Sequence, residues 1–154
     1  MFTRDGIRAV HSWSHECLDL VMEHAGTLPV ELFLREIAGF GAACVRDQLV
    51  HAVACEAVWV RALQDLPSVN WSYSDYPTVA AVRQAKQQVA ADTLAYVERI
   101  SEAELNTELG GLRSAAFILH HVLTHAFHHK GQIVAMCRIL GYPAPDTDLQ
   151  RSSA

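Results

Sequence analysis

Positive charge is scarce in this chain. Its 154 residues hold 12 Lys and Arg against 17 Asp and Glu, a formal net charge of −5. A nucleic-acid surface needs a basic patch or stripe, so binding to DNA or RNA is not expected. Long apolar runs are lacking as well. No stretch is long and uninterrupted enough to span a bilayer. The N-terminal "MFTRDGIRAVHSW" has no signal-peptide apolar region. A cytoplasmic protein with no membrane partner is the expectation. Cysteine is sparse: Cys17, Cys44, Cys55 and Cys137 form no CxxC pair and sit in apolar helical patterns. That argues against a disulfide framework and for buried, reduced thiols acting as small hydrophobes. Alternating strand patterns are scarce, and there is no internal repeat and no low-complexity tract.

What is present is globular and helical. About half the residues are apolar and 19% are charged, a composition that supports one core in one domain over residues 1–154. The periodicity predicts four helices. The first runs from Gly6 to His24, with Ile7, Val10, Trp13, Cys17, Leu20, Val21 and His24 recurring at three and four. The second runs from Cys44 to Asp65 and is apolar on most sides. Pro77 and Thr78 open the third, from Thr78 to Ile100. Ser114 is the N-cap expected for the fourth, from Ala115 to Leu140, and Gly141 is its expected stop. The segment "VELFLREIAGFGAA" reads as a loop that carries at most a helical turn. "SEAELNTELGGLRS" reads as a polar connection with two adjacent glycines. Four helices of this length predict an all-α four-helix bundle.

The fourth helix poses the functional question. Five of the nine histidines stand in "HHVLTHAFHH", among Val, Leu and Phe. Successive residues on an α-helix turn by about 100°, so with His121 at zero, His125 falls at about 40°, His129 at about 80° and His128 at about −20°. Ile118, Val122, Ile133 and Met136 mark the buried face at about 60° to 120°. His125 and His129 therefore enter the core stripe. His121 and His128 lie on its shoulder, and His120 looks away. Two imidazoles at i and i+4 in low dielectric are costly to protonate together, and one divalent cation accepts a lone pair from each.

A third ligand has to come from another helix. His11, His15, His24 and His51 are the candidates. His51 sits mid-way along the most apolar helix, with the small residues Ala54 and Ala62 on its face. It is the best placed. His11 and His15 are a rival i, i+4 pair, read as partly exposed because Ser12 and Trp13 beside them give no burial signal. Glu56 is about 140° round from His51, so it reads as a hydrogen-bonding or salt-bridging group away from the ion. Trp59 reads as core.

Three stretches together resemble the DinB/YfiT-like family of metalloenzymes. They are "LVHAVACEAVW" in the second helix, "HHVLTHAFHHKGQI" in the fourth, and "LGYPAPDTDL" after it. The resemblance covers nearly the whole chain. It implies a down-up-up-down four-helix bundle that is often a homodimer. It also implies a divalent metal held by His51, His125 and His129. Some relatives transfer or isomerise with bacillithiol or mycothiol. The chain departs from the family where Lys130 stands in place of the more usual Arg.

Three neutral imidazoles leave coordination positions open, as in a catalytic site. A thiol bound there is deprotonated. The expected function is metal-dependent transfer of a small-molecule thiol of the bacillithiol, mycothiol or glutathione class to an electrophile. Metal-hydroxide hydrolysis is the alternative. So is a non-catalytic, DNA-damage-inducible stress-response or dimerisation bundle. Imidazole ligation suits zinc, nickel, copper and iron; zinc or nickel is the expected ion, with iron or manganese as the alternatives. His128, His121, Gln132 and Cys55 are candidates for the rim of the site or for contacts behind the ligands. Lys130 is expected in solvent.

Overall fold

The structure is a computed structural model that describes residues 1–110 and 113–147. Gly111, the second glycine of the pair, and the Asp148–Leu149 end of "LGYPAPDTDL" lie outside the described residues. Four long helices are α1 (Arg4–Ala25), α3 (Val45–Ala62), α4 (Val79–Arg99) and α6 (Ala115–Ile139). Two short ones are α2 (Val30–Phe33) and α5 (Glu102–Asn106), and a 3₁₀ turn spans Tyr73–Asp75. Among the described residues there is no β-strand.

Short hydroxyl side chains start most of these helices. Thr3, Thr78 and Ser114 each accept a backbone N–H three residues on, from Gly6, Ala81 and Phe117. They satisfy donors that the first helical turn leaves without an intrahelical partner. Ser101 and Glu104 form a reciprocal capping box that starts α5. That helix interrupts the segment expected to be only a polar connection, and the box is its local cause. The end of α6 is equally well defined. Gly141 adopts φ +82. There the Tyr142 N–H donates to the Cys137 carbonyl at 2.8 Å and the Gly141 N–H to Arg138 at 3.1 Å. This left-handed stop favours a residue without Cβ.

The long helices pack in neighbouring pairs: α3 on α6 and on α4, α1 on α6 and on α4. One apolar cluster gathers Met22, Leu49, Val53, Ile133 and Met136. A smaller one gathers Ile7, Val60, Leu105 and Leu119 towards α5. The buried stripe of α6 is the one expected, with Ile118, Val122, Ile133 and Met136 all buried.

Lys130 corrects an expectation. It is buried, not solvated, and its Nζ donates to the Thr147 carbonyl at 2.8 Å. The ammonium also lies 5.0 Å from the centre of the Phe127 ring. A long aliphatic stem can be covered while its charged end finds acceptors, and the segment after α6 supplies that cover.

Leu49 is fully buried where α3 meets the larger core. Leu49→Ala is expected to destabilise the protein by about 2–5 kcal/mol, measured by chemical denaturation. A loss below half a kcal/mol would place Leu49 outside the core.

Candidate metal centre

One turn of α6 separates His125 from His129, and both rings project towards α3. Their Nε2 atoms stand 3.2 Å apart. His51 of α3 faces them, its ring centre 5.2 Å from that of His125 and 4.7 Å from that of His129. One ring nitrogen from each of the three lies within 4.8 Å of the others. The structure therefore brings together the three histidines singled out by helical face and burial.

Gln48 decides which nitrogen of His129 is available. Its side chain is fully buried, and its Nε2 donates to the Ala42 carbonyl at 2.7 Å. That fixes the amide with Oε1 towards His129, so Nδ1–H of His129 donates to it. A neutral ring protonated at Nδ1 carries its lone pair on Nε2. That lone pair points at His125 Nε2. Metal–nitrogen bonds of about 2.0–2.1 Å at a tetrahedral angle put two ligand nitrogens about 3.3 Å apart. The observed spacing and the enforced tautomer both fit a divalent cation.

Electrostatics favour the same state. Burial lowers the pKa of His125 to about 4, with the neighbouring His51, His121 and His128 adding to the effect. Burial likewise lowers His129 to about 4, helped by His125, His51 and His128. Both rings are neutral at physiological pH.

A cavity of about 290 Å³ opens beside the cluster. His51 and His129 form part of its wall, with Tyr73, His128, Gln132, Gly41 and Ala42. The Tyr73 hydroxyl is 3.4 Å from His51 Nδ1, and burial raises its pKa, with the Asp47 and Cys44 charges adding. It remains a protonated phenol at neutral pH. Gln132 Nε2 donates to His128 Nε2 at 2.6 Å. His121 is not part of the cavity wall but borders the cluster: it is exposed, its ring centre 5.7 Å from that of His125 and 5.8 Å from that of Trp59, whose edge it meets. Trp59 is accordingly half-buried rather than core, a correction to the reading of that residue. His120, half-buried, lies against Phe2 and Ala116. Cys55 does not join the ligand group. Burial pushes its thiol up to about 11, so it is not a thiolate at neutral pH.

His11 and His15 also depart from expectation. His11 is buried and His15 half-buried. Their Nε2 atoms meet Glu56 Oε1 and Oε2 at 2.8 and 2.9 Å. Thr93 of α4 donates to Glu56 Oε1 at 2.6 Å. The carboxylate is what makes their burial tolerable, and it comes from a different helix. Burial alone would raise the Glu56 pKa, but the hydrogen bonds and charge of the two histidines outweigh it and hold the carboxyl below its ordinary range. His24 also stands apart, paired with the Tyr142 carbonyl at 2.9 Å.

Gln48 and Tyr73 were not among the candidates. Gln48 left a faint signal, a lone amide in a strongly apolar helix one turn before His51. Tyr73 left none, because the loop that carries it reaches the site only through the fold.

A family model described as "DinB family" matches residues 7–154. The chain is also similar to the "Uncharacterized protein YizA" of Bacillus subtilis (strain 168). The two are 26% identical over 98 residues, covering 60% of this chain and 62% of that protein. The chain thus matches less than two thirds of that relative's length.

Two measurements check the site. Gln48→Leu removes the acceptor that orients His129, and zinc affinity is expected to fall by about 10- to 100-fold, read by competition with a chromophoric chelator. Unchanged affinity would remove that role from Gln48. The second concerns pH in the metal-free protein. His125 and His129 have folded values near 4 against an ordinary 6.5. Between those values the unfolded chain binds more protons than the folded one. Stability is expected to fall as pH drops from about 6.5 towards about 4. Urea melts at about pH 7 and about pH 5 should show this loss, and it should shrink in His125→Ala/His129→Ala. Equal losses in both proteins would contradict it.

Proposed function

The chain belongs to the DinB family, and from that premise we propose that it is a metal-dependent enzyme transferring a low-molecular-weight thiol to an electrophile. The observation that carries the reading is the cluster of three imidazoles, two of which, His51 and His129, stand in the wall of a cavity. We read the four long helices as a down-up-up-down bundle forming one domain, acting as a cytoplasmic homodimer.

In this reading His51, His125 and His129 hold a divalent cation, zinc or nickel first. When bound, the cation supplies a thiolate at neutral pH from a coordinated thiol. The other side chains position and protonate. Gln48 keeps the proton of His129 on Nδ1 and so keeps Nε2 free as a donor atom. Tyr73 holds a phenolic proton beside His51 and can deliver it to a charge developing in the cavity. His128 and Gln132, coupled to each other, offer hydrogen bonds to the polar body of a substrate.

The hydrolytic alternative calls for a general base beside bound water. Of the two carboxylates on α3, Glu56 is tied up by His11, His15 and Thr93, and Asp47 accepts from Arg46 Nε at 2.8 Å. Thiol transfer is therefore the reading favoured here.

Zinc-loaded and metal-free protein are to be incubated with bacillithiol, mycothiol or glutathione and a model electrophile such as a chlorodinitrobenzene. The expected result is a rate above background with at least one thiol, present only in the metal-loaded protein and lost in His129→Ala. No metal-dependent rate with any of the three thiols would sink the proposal.

A further inference from the structure

The group formed by His11, His15 and Glu56 has the composition of a second metal site. It repeats the plan of the first: two histidines one turn apart on one helix face a donor on α3. The two groups are distinct. His51 and Glu56 are five residues apart, which on an α-helix is about 140° of rotation and about 7.5 Å of rise. His51 faces α6, while Glu56 faces α1 and α4.

We propose that His11, His15 and Glu56 bind a second divalent cation, of the zinc or ferrous class, that ties α1 to α3. Two imidazoles and one carboxylate are a donor set that both ions accept. Both imidazoles present Nε2, and each meets its own carboxylate oxygen, at 2.8 and 2.9 Å. The four donor atoms therefore already face one another. Thr93 holds Oε1 from behind with its hydroxyl at 2.6 Å, the support that ligating carboxylates ordinarily have.

Charge supplies the second argument. Glu56 is 5% exposed and His11 3%, so the carboxylate has little water to stabilise it. Its ion-pair partners among the described residues are these two histidines. Protonating one balances the charge. Protonating both would set two cations in rings whose centres are 4.1 Å apart. One divalent ion takes both lone pairs, releases any proton held there, and leaves the group at a net +1, the same total as two protonated rings but without a charge on each of two adjacent rings. The competing occupant is a single proton, which would make the group a buried ion pair and nothing more.

The inference is independent of the proposed thiol chemistry, and the test keeps them separate. Zinc is titrated into full-length metal-free protein. Bound metal is measured by elemental analysis after desalting, and the imidazole nitrogens are followed by ¹⁵N NMR. The expected stoichiometry is two equivalents per chain, one in His125→Ala/His129→Ala, and none when His15→Ala is added to that pair. In the unsubstituted protein, zinc should shift the Nε2 resonances of His11 and His15, a readout that requires no variant to fold. Unmoved His11 and His15 resonances at saturating zinc overturn the proposal and identify the buried ion pair. So does an equivalent that survives His15→Ala in the triple variant. Either result leaves the His51, His125 and His129 assignment untouched.

Discussion

The buried carboxylate of Glu56 is the point on which the arrangement turns. Three donors from two other helices converge on it: His11 and His15 from α1 and Thr93 from α4. A charge taken out of water is stable only while such partners are present, and losing one leaves an uncompensated buried ion. The rotation of α3 is thereby restricted, because its Glu56 face has to meet α1 and α4. His51, on the other side of the helix, is then presented to α6. A polar contact that takes no part in the candidate centre thus helps to aim one of its members.

The same logic operates at smaller scale around His129. Its ring is held by an amide that is itself held by a loop carbonyl. The loop before α3 supplies Ala42, and the loop after α3 supplies Tyr73. Both loops also line the cavity. Rigid helices carry the candidate ligands while connecting segments shape what can approach them, a common division of labour between scaffold and function. The family match covers residues 7–154 and so includes all of these groups.

Much of this was legible in the sequence where the relevant physics is local. Helical periodicity turned "HHVLTHAFHH" into angles, and the angles put His125 and His129 on the face that Ile118, Val122, Ile133 and Met136 bury. Caps and stops were readable for the same reason, as at Ser114 and Gly141. The Ser101–Glu104 box is equally local, a Ser and a Glu three residues apart in "SEAE". What stayed hidden depends on partners far along the chain. His11 and His15 look exposed from their neighbours and are covered because of a carboxylate 45 and 41 residues away. Lys130 is covered because of the Thr147 carbonyl. Tyr73 meets His51 across a loop that periodicity cannot place. Local pattern sets which face is apolar, and tertiary partners set which polar groups may join it.

Between His51 and Glu56 the chain has an intolerance unlike that of an ordinary core. A substitution at Ala52, Val53 or Ala54 alters packing by a methyl group or two. Inserting or deleting one residue there would instead turn everything beyond it by about 100°. His51 and Glu56 could then no longer face α6 and α1 at once. The spacing works as a phase setting between two faces of one helix. In this stretch the number of residues is more tightly constrained than their identity.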